Sequence, residues 1–145
     1  IGVVHRDLKP ANIMFRGDDS LALADFGISK KIEEANTLMT IGQVLGTPHY
    51  MSPEQGEGGL IDYRSDIYSA GILLFELLTG DKPYTAMTPA ALIYQHVHAE
   101  IPLLPAALRK YQHIISKTLA KHPDDRYQSA SELIADLEQV ELDFN

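Results

Sequence analysis

The sequence contains no cysteine, which excludes disulfide bonds and metal sites built from thiolates. Basic residues are scarce as well: 12 Lys and Arg stand against 20 Asp and Glu, so the formal net charge is −8 at pH 7. Because an acidic surface repels phosphate backbones and anionic lipids, we expect neither nucleic acid nor an anionic membrane as the main partner. Long apolar runs are also missing. The most apolar segment, residues 67–78, is too short to span a bilayer and contains Glu76.

The 145 residues suffice for one compact domain with a sizeable core. Two short apolar runs, at 13–15 and 21–24, flank a polar stretch at 16–20 that contains a glycine. This arrangement predicts a β-hairpin. The rest of the chain carries helix signals, so we predict a mainly α fold with one small β-hairpin.

The most apolar helix is predicted near the middle of the chain. Ser65 or Asp66 can cap its start, Leu78 lies near its end, and Gly80 is suited to stop it. Apolar side chains cover this segment nearly all round, which predicts a buried central helix.

Three further helical segments follow. Thr88 and Pro89 predict a cap and a first helical residue for a helix that runs to about His98. Ser129 and Glu132 have the spacing of a capping box before a last amphipathic helix. Between them, one helical face is traced by Leu108, Tyr111, Ile114, Ile115 and Leu119.

Two motifs point to chemistry. Residues 5–12 read His-Arg-Asp-Leu-Lys-Pro-Ala-Asn, and residues 25–27 read Asp-Phe-Gly. Together they resemble the catalytic loop and the metal-binding motif of serine/threonine protein kinases. The stretches at 46–55 and 121–127 look most like the bacterial, Hanks-type members of that family. The resemblance implies the large, C-terminal lobe of a kinase and transfer of the ATP γ-phosphate to Ser or Thr hydroxyls of a protein.

The resemblance also assigns roles within these motifs. Asp7 would accept the hydroxyl proton, and Lys9 would place positive charge on the transferred phosphoryl group and the nucleotide. Asn12 and Asp25 would supply oxygen ligands to Mg²⁺, or to Mn²⁺, bound with ATP. The predicted hairpin returns Asp25 close to Asn12. Met14 is expected to belong to the core and, by resemblance, to lie under the adenine ring.

The resemblance continues downstream in the expected order. Residues 46–54 resemble the substrate-binding loop of a kinase, with Thr47 as the substrate-binding residue and Ser-Pro-Glu where Ala-Pro-Glu is usual. Asp66 resembles the aspartate that anchors the backbone of the catalytic loop. A late His-Pro-Asp-Asp-Arg-Tyr stretch supplies Arg126, which would pair with Glu54.

A regulatory role is implied for Arg6, which resembles the arginine that binds a phosphate on the activation loop. Thr37 and Thr40 are the acceptors nearby, and a phosphate on either one could order the loop through bidentate pairing with arginine. The alternative, that these threonines are simply solvated loop positions, stays open.

We expect no catalytic or metal-binding role for the histidines. His5 is expected to pack and to anchor backbone rather than act as acid or base. His96 and His98 lie two residues apart in a helical segment and so face different ways, and we do not expect them to bind a metal.

The sequence shows no glycine-rich loop and no lysine strand before the catalytic loop. We therefore expect residues 1–145 to form a partial kinase domain that lacks the N-terminal lobe and is inactive alone. The expected partners are ATP and protein substrates. The expected location is the cytoplasm, either free or as the cytoplasmic part of a kinase whose membrane anchor lies outside this chain.

Two alternative functions make different demands on the sequence. A non-catalytic, pseudokinase-like scaffold would have lost Asp7, Asn12 or Asp25, all of which are present. A small-molecule phosphotransferase would lack Lys9, the Phe26-Gly27 pair and the stretch at 46–54, all of which are present. For the 145 residues alone, the scaffold alternative remains open.

Overall fold

The computed structural model describes residues 3–24 and 48–144. These residues form a mainly helical fold with a single antiparallel strand pair. The strands are β1 (Ile13–Phe15) and β2 (Leu21–Leu23). The helices are α1 (Pro53–Glu57), α2 (Tyr63–Thr79), α3 (Pro89–His98), α4 (Gln112–Thr118) and α5 (Ala130–Asp143), and short 3₁₀ turns lie at Pro10–Asn12, Ala106–Tyr111 and Pro123–Asp125.

The predicted hairpin is confirmed. β1 and β2 pair in the register Ile13 to Leu23. Its turn is tight, because Asp18 accepts hydrogen bonds from the backbone and side chain of Ser20 and Asp19 adopts a positive φ of 62°. Asp and Asn tolerate that conformation better than most residues.

Met14 is not a core residue, contrary to the expectation. Its side chain is 55% exposed on β1. An apolar strand residue is buried only when a second layer covers its face, and a two-stranded hairpin does not supply that layer by itself.

The central helix α2 begins earlier than expected. Asp62 caps it by accepting a hydrogen bond from the backbone of Arg64, and Gly80 ends it with a φ of 79°. The predicted caps, Ser65 and Asp66, lie inside the helix, because their side chains bind other segments of the chain.

Helix α2 lies in the core of the fold, as expected, and contributes residues to two apolar clusters. One apolar cluster comprises Tyr68, Ile72, Phe75, Tyr84, Leu92, Leu104, Ile115 and Leu119. A second cluster comprises Ile67, Ile114, Tyr127 and Val140. Gly71 allows α2 to approach α4, since a Cβ atom there would fall 2.6 Å from Thr118 Oγ1.

The other helix predictions are confirmed in part. Thr88 caps α3 as expected. The face predicted over 108–119 is divided between the 3₁₀ turn Ala106–Tyr111 and α4.

The capping box predicted for α5 is only half formed. Ser129 accepts a hydrogen bond from the backbone of Glu132, but the Glu132 carboxylate accepts from the backbone of Gln128 instead of Ser129. A complete capping box is present at α1, between Ser52 and Gln55.

Among residues 3–24 and 48–144, no helix combines the length and the apolar character needed to cross a bilayer. This agrees with the absence of long apolar runs in the sequence.

Candidate functional site

The backbone of the 5–12 loop is fixed by the central helix. The carboxylate of Asp66 accepts hydrogen bonds from the backbone N–H of His5 at 2.7 Å and of Arg6 at 2.9 Å. In the next peptide, the Arg6 carbonyl accepts a hydrogen bond from Gln55 Nε2 at 3.0 Å. Arg6 itself has a positive φ of 67°, which is uncommon for a residue with a Cβ. These contacts hold a conformation that the loop would not favour alone.

His5 anchors backbone, as expected. Its buried ring accepts a hydrogen bond at Nδ1 from the N–H of Asp7, 3.2 Å away, and contacts the carbonyl of Ala24 through Nε2 at 2.8 Å. Because the peptide N–H can only donate and the carbonyl can only accept, these contacts require the Nε2–H tautomer. His5 therefore ties the loop to the end of β2.

The side chains of Asp7, Lys9 and Asn12 converge. The Asn12 amide nitrogen donates to Asp7 Oδ2 at 3.0 Å and to the Asp7 carbonyl at 2.8 Å. Lys9 Nζ lies 3.3 Å from Asp7 Oδ2. Asp7 and Lys9 remain partly exposed, so an incoming hydroxyl can reach them. The cluster combines one carboxylate, one ammonium group and one amide.

Asn12 is suited to hold a hard cation. Its side chain is buried, and both hydrogen bonds to Asp7 use the amide nitrogen, which leaves the amide oxygen as its metal-ligating atom. The backbone N–H of Ala24 donates to the Asn12 carbonyl at 2.8 Å, so the end of β2 lies beside Asn12. Asp25, the second expected ligand, follows Ala24 directly but lies outside the described residues.

Within the described ranges, no group of three or more His, Cys, Asp or Glu side chains could hold a metal ion. A cation at Asn12 would therefore need oxygen atoms from elsewhere. Mg²⁺ is usually bound by one or two side chains together with phosphate oxygens and water, so the residues present fit this ion.

Arg126 and Glu54 form the expected pair. The guanidinium donates to both carboxylate oxygens, at 2.7 and 2.8 Å. Its remaining N–H groups donate to the carbonyls of Arg64, Ala120 and Lys121, so all five donors are satisfied. The Arg126 side chain is fully buried.

The Glu54 carboxylate stays charged in this setting. Burial raises the pKa of Glu54, but hydrogen bonds from Arg126 and Ser65 more than offset that effect and hold the pKa below its ordinary value. The pair joins the end of the 46–54 stretch to the segment before α5.

The described part of the 46–54 stretch is held against α2. Ser69 Oγ donates to the Tyr50 carbonyl at 2.6 Å, and the Tyr50 hydroxyl donates to the carboxylate of Glu76. Lys82 Nζ lies 3.2 Å from the same carboxylate. The hydrogen bond from Tyr50, together with Lys82, lowers the pKa of Glu76.

Sequence reasoning missed these contacts of Tyr50. In the sequence, Glu76 stands out only as a charge within an apolar segment. A glutamate on the most apolar helix of the chain was nevertheless a signal, because buried or half-buried charges need partners.

The structure brings Asp7, Lys9 and Asn12 together. Met14 follows on β1, two positions after Asn12. Arg6 lies beside them, and its Nε atom is buried and has no hydrogen-bond partner among the described residues. The other expected site residues, Asp25, Thr37, Thr40 and Thr47, lie outside the described residues.

The chain belongs to the protein kinase family. A family model described as "Protein kinase domain" matches residues 1–137. Its relatives carry the names of serine/threonine kinases of bacteria, which confirms the family resemblance stated from the motifs. Kinases of this family use ATP and Mg²⁺.

Among those relatives is the serine/threonine-protein kinase PknB of Mycobacterium tuberculosis (strain ATCC 25618 / H37Rv), 43% identical over 96% of this chain and 23% of its own length. The "Probable serine/threonine-protein kinase CE0033" of Corynebacterium efficiens is 42% identical over 94% of this chain and 22% of its length. A third relative, the "Probable serine/threonine-protein kinase CA_C1728" of Clostridium acetobutylicum, is 42% identical over 99% of this chain and 22% of its own length. The chain thus spans less than a quarter of the length of these relatives.

Proposed function

We propose that this chain supplies the catalytic loop and the substrate side of a kinase that transfers the ATP γ-phosphate to Ser or Thr hydroxyls of a protein. The observation that carries the proposal is the cluster of Asp7, Lys9 and Asn12 on a loop whose backbone is fixed by Asp66. Phosphoryl transfer needs positioning and charge neutralisation more than covalent chemistry, and this cluster offers both.

Each side chain of the cluster has one task in the proposed reaction. Asp7 accepts the proton of the attacking hydroxyl as its oxygen bonds to phosphorus and the bond to the ADP oxygen breaks. Lys9 offsets the negative charge of the moving group. Asn12, with Asp25, would hold Mg²⁺ or Mn²⁺, and the ion would supply positive charge to the β- and γ-phosphates.

The surroundings of the cluster support further assignments. The exposed side chain of Met14 is available to an adenine ring, and Thr47 is proposed to contact the protein substrate. Arg6, whose buried Nε has no hydrogen-bond partner among residues 3–24 and 48–144, is proposed to bind a phosphate carried by Thr37 or Thr40. The net charge of −8 favours protein substrates over nucleic acid.

We propose that residues 1–145 are part of a kinase domain and that this polypeptide alone does not phosphorylate protein. Its sequence contains the proposed metal ligands, Asn12 and Asp25, but no glycine-rich loop that could cover the phosphates of ATP. Because the reaction consumes ATP, we place it in the cytoplasm. If nucleotide binds but no phosphate is transferred even in the longer protein, a non-catalytic scaffold becomes the better reading.

The test is a phosphotransfer assay on a longer protein that contains this chain and a glycine-rich loop. Wild type, Asp7→Asn and Asp19→Asn are incubated with Mg-ATP and a mixed protein substrate, and phosphoserine and phosphothreonine are quantified. Asp19 is an exposed aspartate in the hairpin turn whose positive φ suits asparagine, so it is a matched control. We expect transfer by wild type and Asp19→Asn, and loss in Asp7→Asn. Equal transfer by all three would refute the proposal.

A further inference from the structure

Gln55 is a buried residue of α1 to which the proposed chemistry assigns no task. It is 7% exposed, and the two ends of its side-chain amide bind different segments of the chain. Oε1 accepts hydrogen bonds from the backbone N–H of Ser52 at 3.0 Å and from the Ser52 hydroxyl at 3.2 Å. Nε2 donates to the carbonyl of Arg6 at 3.0 Å. Gln55 therefore joins the start of α1 to the catalytic loop, 49 positions earlier in the chain.

The partners of the Gln55 amide fix its orientation. The backbone N–H of Ser52 can only donate, and the carbonyl of Arg6 can only accept. An amide turned the other way would place its oxygen against the Arg6 carbonyl and its nitrogen against the Ser52 N–H, so both contacts would be lost. An ionised glutamate has no donor, so it could bind Ser52 but not Arg6.

The peptide that Gln55 holds is the one that leads into Asp7. The Arg6 carbonyl and the Asp7 N–H belong to the same planar peptide unit. Its carbonyl accepts from Gln55, and its N–H donates to His5 Nδ1 at 3.2 Å. Rotation of this unit would change ψ of Arg6 and φ of Asp7, and would therefore redirect the Asp7 side chain. Gln55 and His5 oppose that rotation from the two ends of the unit.

The backbone at Arg6 needs this support. Its φ of 67° is unfavourable for a residue with a Cβ and persists only where the surroundings hold it. Asp66 of α2 binds the Arg6 N–H at 2.9 Å, and Gln55 of α1 binds the Arg6 carbonyl. Asp66 thus fixes the peptide before Arg6, whereas Gln55 fixes the peptide after it.

Helix α1 is a rigid support for the Gln55 amide. Glu54, the preceding residue, is paired with the fully buried Arg126. Gly56, the following residue, lies so close to α3 that a Cβ atom there would fall 2.6 Å from Ile93 Cγ2. Because Glu54 is also the end of the 46–54 stretch, Gln55 links the placement of that stretch to the catalytic loop.

We propose that Gln55 is a positioning residue for Asp7: its amide holds the Arg6–Asp7 peptide and thereby ties the direction of the Asp7 carboxylate to the placement of the 46–54 stretch. This inference rests on the proposed kinase function. Gln55 acts through the backbone of the loop and not on the nucleotide. Its loss should therefore lower turnover and leave nucleotide binding intact.

The kinetic test uses the same longer, active protein with the variants Gln55→Glu, Gln55→Met and Gln139→Glu. Glutamate suits the capping box with Ser52 as well as glutamine does, so Gln55→Glu keeps the start of α1 and removes only the donor to Arg6. Methionine keeps the length of the side chain and introduces no charge. Gln139→Glu, on the exposed side of α5, is the matched control for the added charge.

We expect both Gln55 variants to lower kcat about tenfold while KM for Mg-ATP stays within about twofold of wild type. Gln139→Glu should behave as wild type. An unchanged kcat in both Gln55 variants would overturn the proposal. So would a loss that appears as a raised KM for Mg-ATP at constant kcat, or one that Gln139→Glu shares.

A second measurement does not depend on kinase activity. Hydrogen exchange is followed at the amide of Asp7, which bonds to His5, and at the amides of residues 55 and 56, which bond to the Ser52 hydroxyl and carbonyl. In Gln55→Glu we expect faster exchange at Asp7 and unchanged exchange at residues 55 and 56.

The exchange pattern separates positioning from stabilisation. Unchanged exchange at Asp7 overturns the proposal, and faster exchange at all three amides means that Gln55 only stabilises α1, which overturns it as well. Faster exchange at Asp7 alone supports the positioning role even if wild type phosphorylates no protein. A wild type without activity refutes the proposed function instead, so the two failures are distinguishable.

Discussion

Arg126 donates from both terminal nitrogens to the two carboxylate oxygens of Glu54, across 72 positions of sequence. The guanidinium is fully buried, and its other donors are satisfied by carbonyl groups. A bidentate pair in this setting is geometrically specific, because a displaced partner leaves a buried charge without compensation. The pair therefore fixes the end of the 46–54 stretch relative to the segment before α5.

The first prediction concerns the stability supplied by this pair. Glu54→Ala or Arg126→Ala should each destabilise the fold by about 3 to 5 kcal/mol, since either change strands a buried charge. The melting temperature should fall on the order of 10 °C. Asp124→Ala is the control, because it removes only the surface contacts of a carboxylate that is 70% exposed, with Arg64 and with His122. Thermal melts of the three variants would reject a structural role for the pair if all three shifts were equally small.

The second prediction concerns pH. The folded-state pKa of Glu54 lies below its ordinary value of 4.5, so its contribution to stability is present above that value and is lost as pH falls through the folded pKa. Glu54→Gln should thus melt well below wild type at pH 7, and the gap should narrow in acid. Melting curves at pH 7 and pH 3 measure this gap. A gap that stayed constant, or that widened in acid, would contradict the prediction.

The third prediction concerns Asp66 and the shape of the catalytic loop. Asp66→Asn replaces one of two accepting oxygens by an N–H donor, so one peptide N–H of His5 or Arg6 loses its partner. We expect faster hydrogen exchange at these two amides and a fall in turnover of about tenfold or more. Asp81→Asn, an exposed aspartate just beyond α2, is the control. Normal turnover in Asp66→Asn would show that the loop keeps its shape without this anchor.

Structural features that depend on residues close together in the sequence were predicted well. The hairpin followed from two apolar runs around a polar turn, and the start of α3 followed from Thr88 and Pro89. The long-range contacts of Asp66, and of Arg126 with Glu54, followed from the family resemblance and not from any local rule. A family resemblance implies contacts between residues that are far apart in the sequence, whereas hydrophobic periodicity indicates only local structure.

Elsewhere local propensity was ambiguous. Asp62, Ser65 and Asp66 are all good capping residues, and only the tertiary contacts of Ser65 and Asp66 show why Asp62 caps α2. Met14 looked like core because it is an apolar strand residue, but burial depends on what covers the strand. Contacts such as Tyr50 with Glu76 join residues 26 apart. No short-range pattern encodes them.

The last prediction separates the tasks of Asp7 and Asp25 in the active protein. Asp25→Asn removes a charged metal ligand, so it should weaken productive binding of Mg-ATP together with turnover. Asp7→Asn keeps the hydrogen-bonding shape near Asn12 and Lys9 but removes the base, so turnover should fall by roughly 10² or more while nucleotide affinity stays nearly unchanged.

Calorimetric titration of Mg-ATP, alongside turnover with a peptide substrate, measures both quantities for each variant. Parallel loss of affinity and turnover in Asp7→Asn would indicate that the loop has collapsed, because Asp7 also accepts the hydrogen bond from Asn12 at 3.0 Å. Unchanged hydrogen exchange at the His5 and Arg6 amides would exclude that collapse. Near-normal turnover in Asp7→Asn would mean that the residue is not the base, since an amide cannot accept the hydroxyl proton, and the assignment of the catalytic cluster would then be wrong.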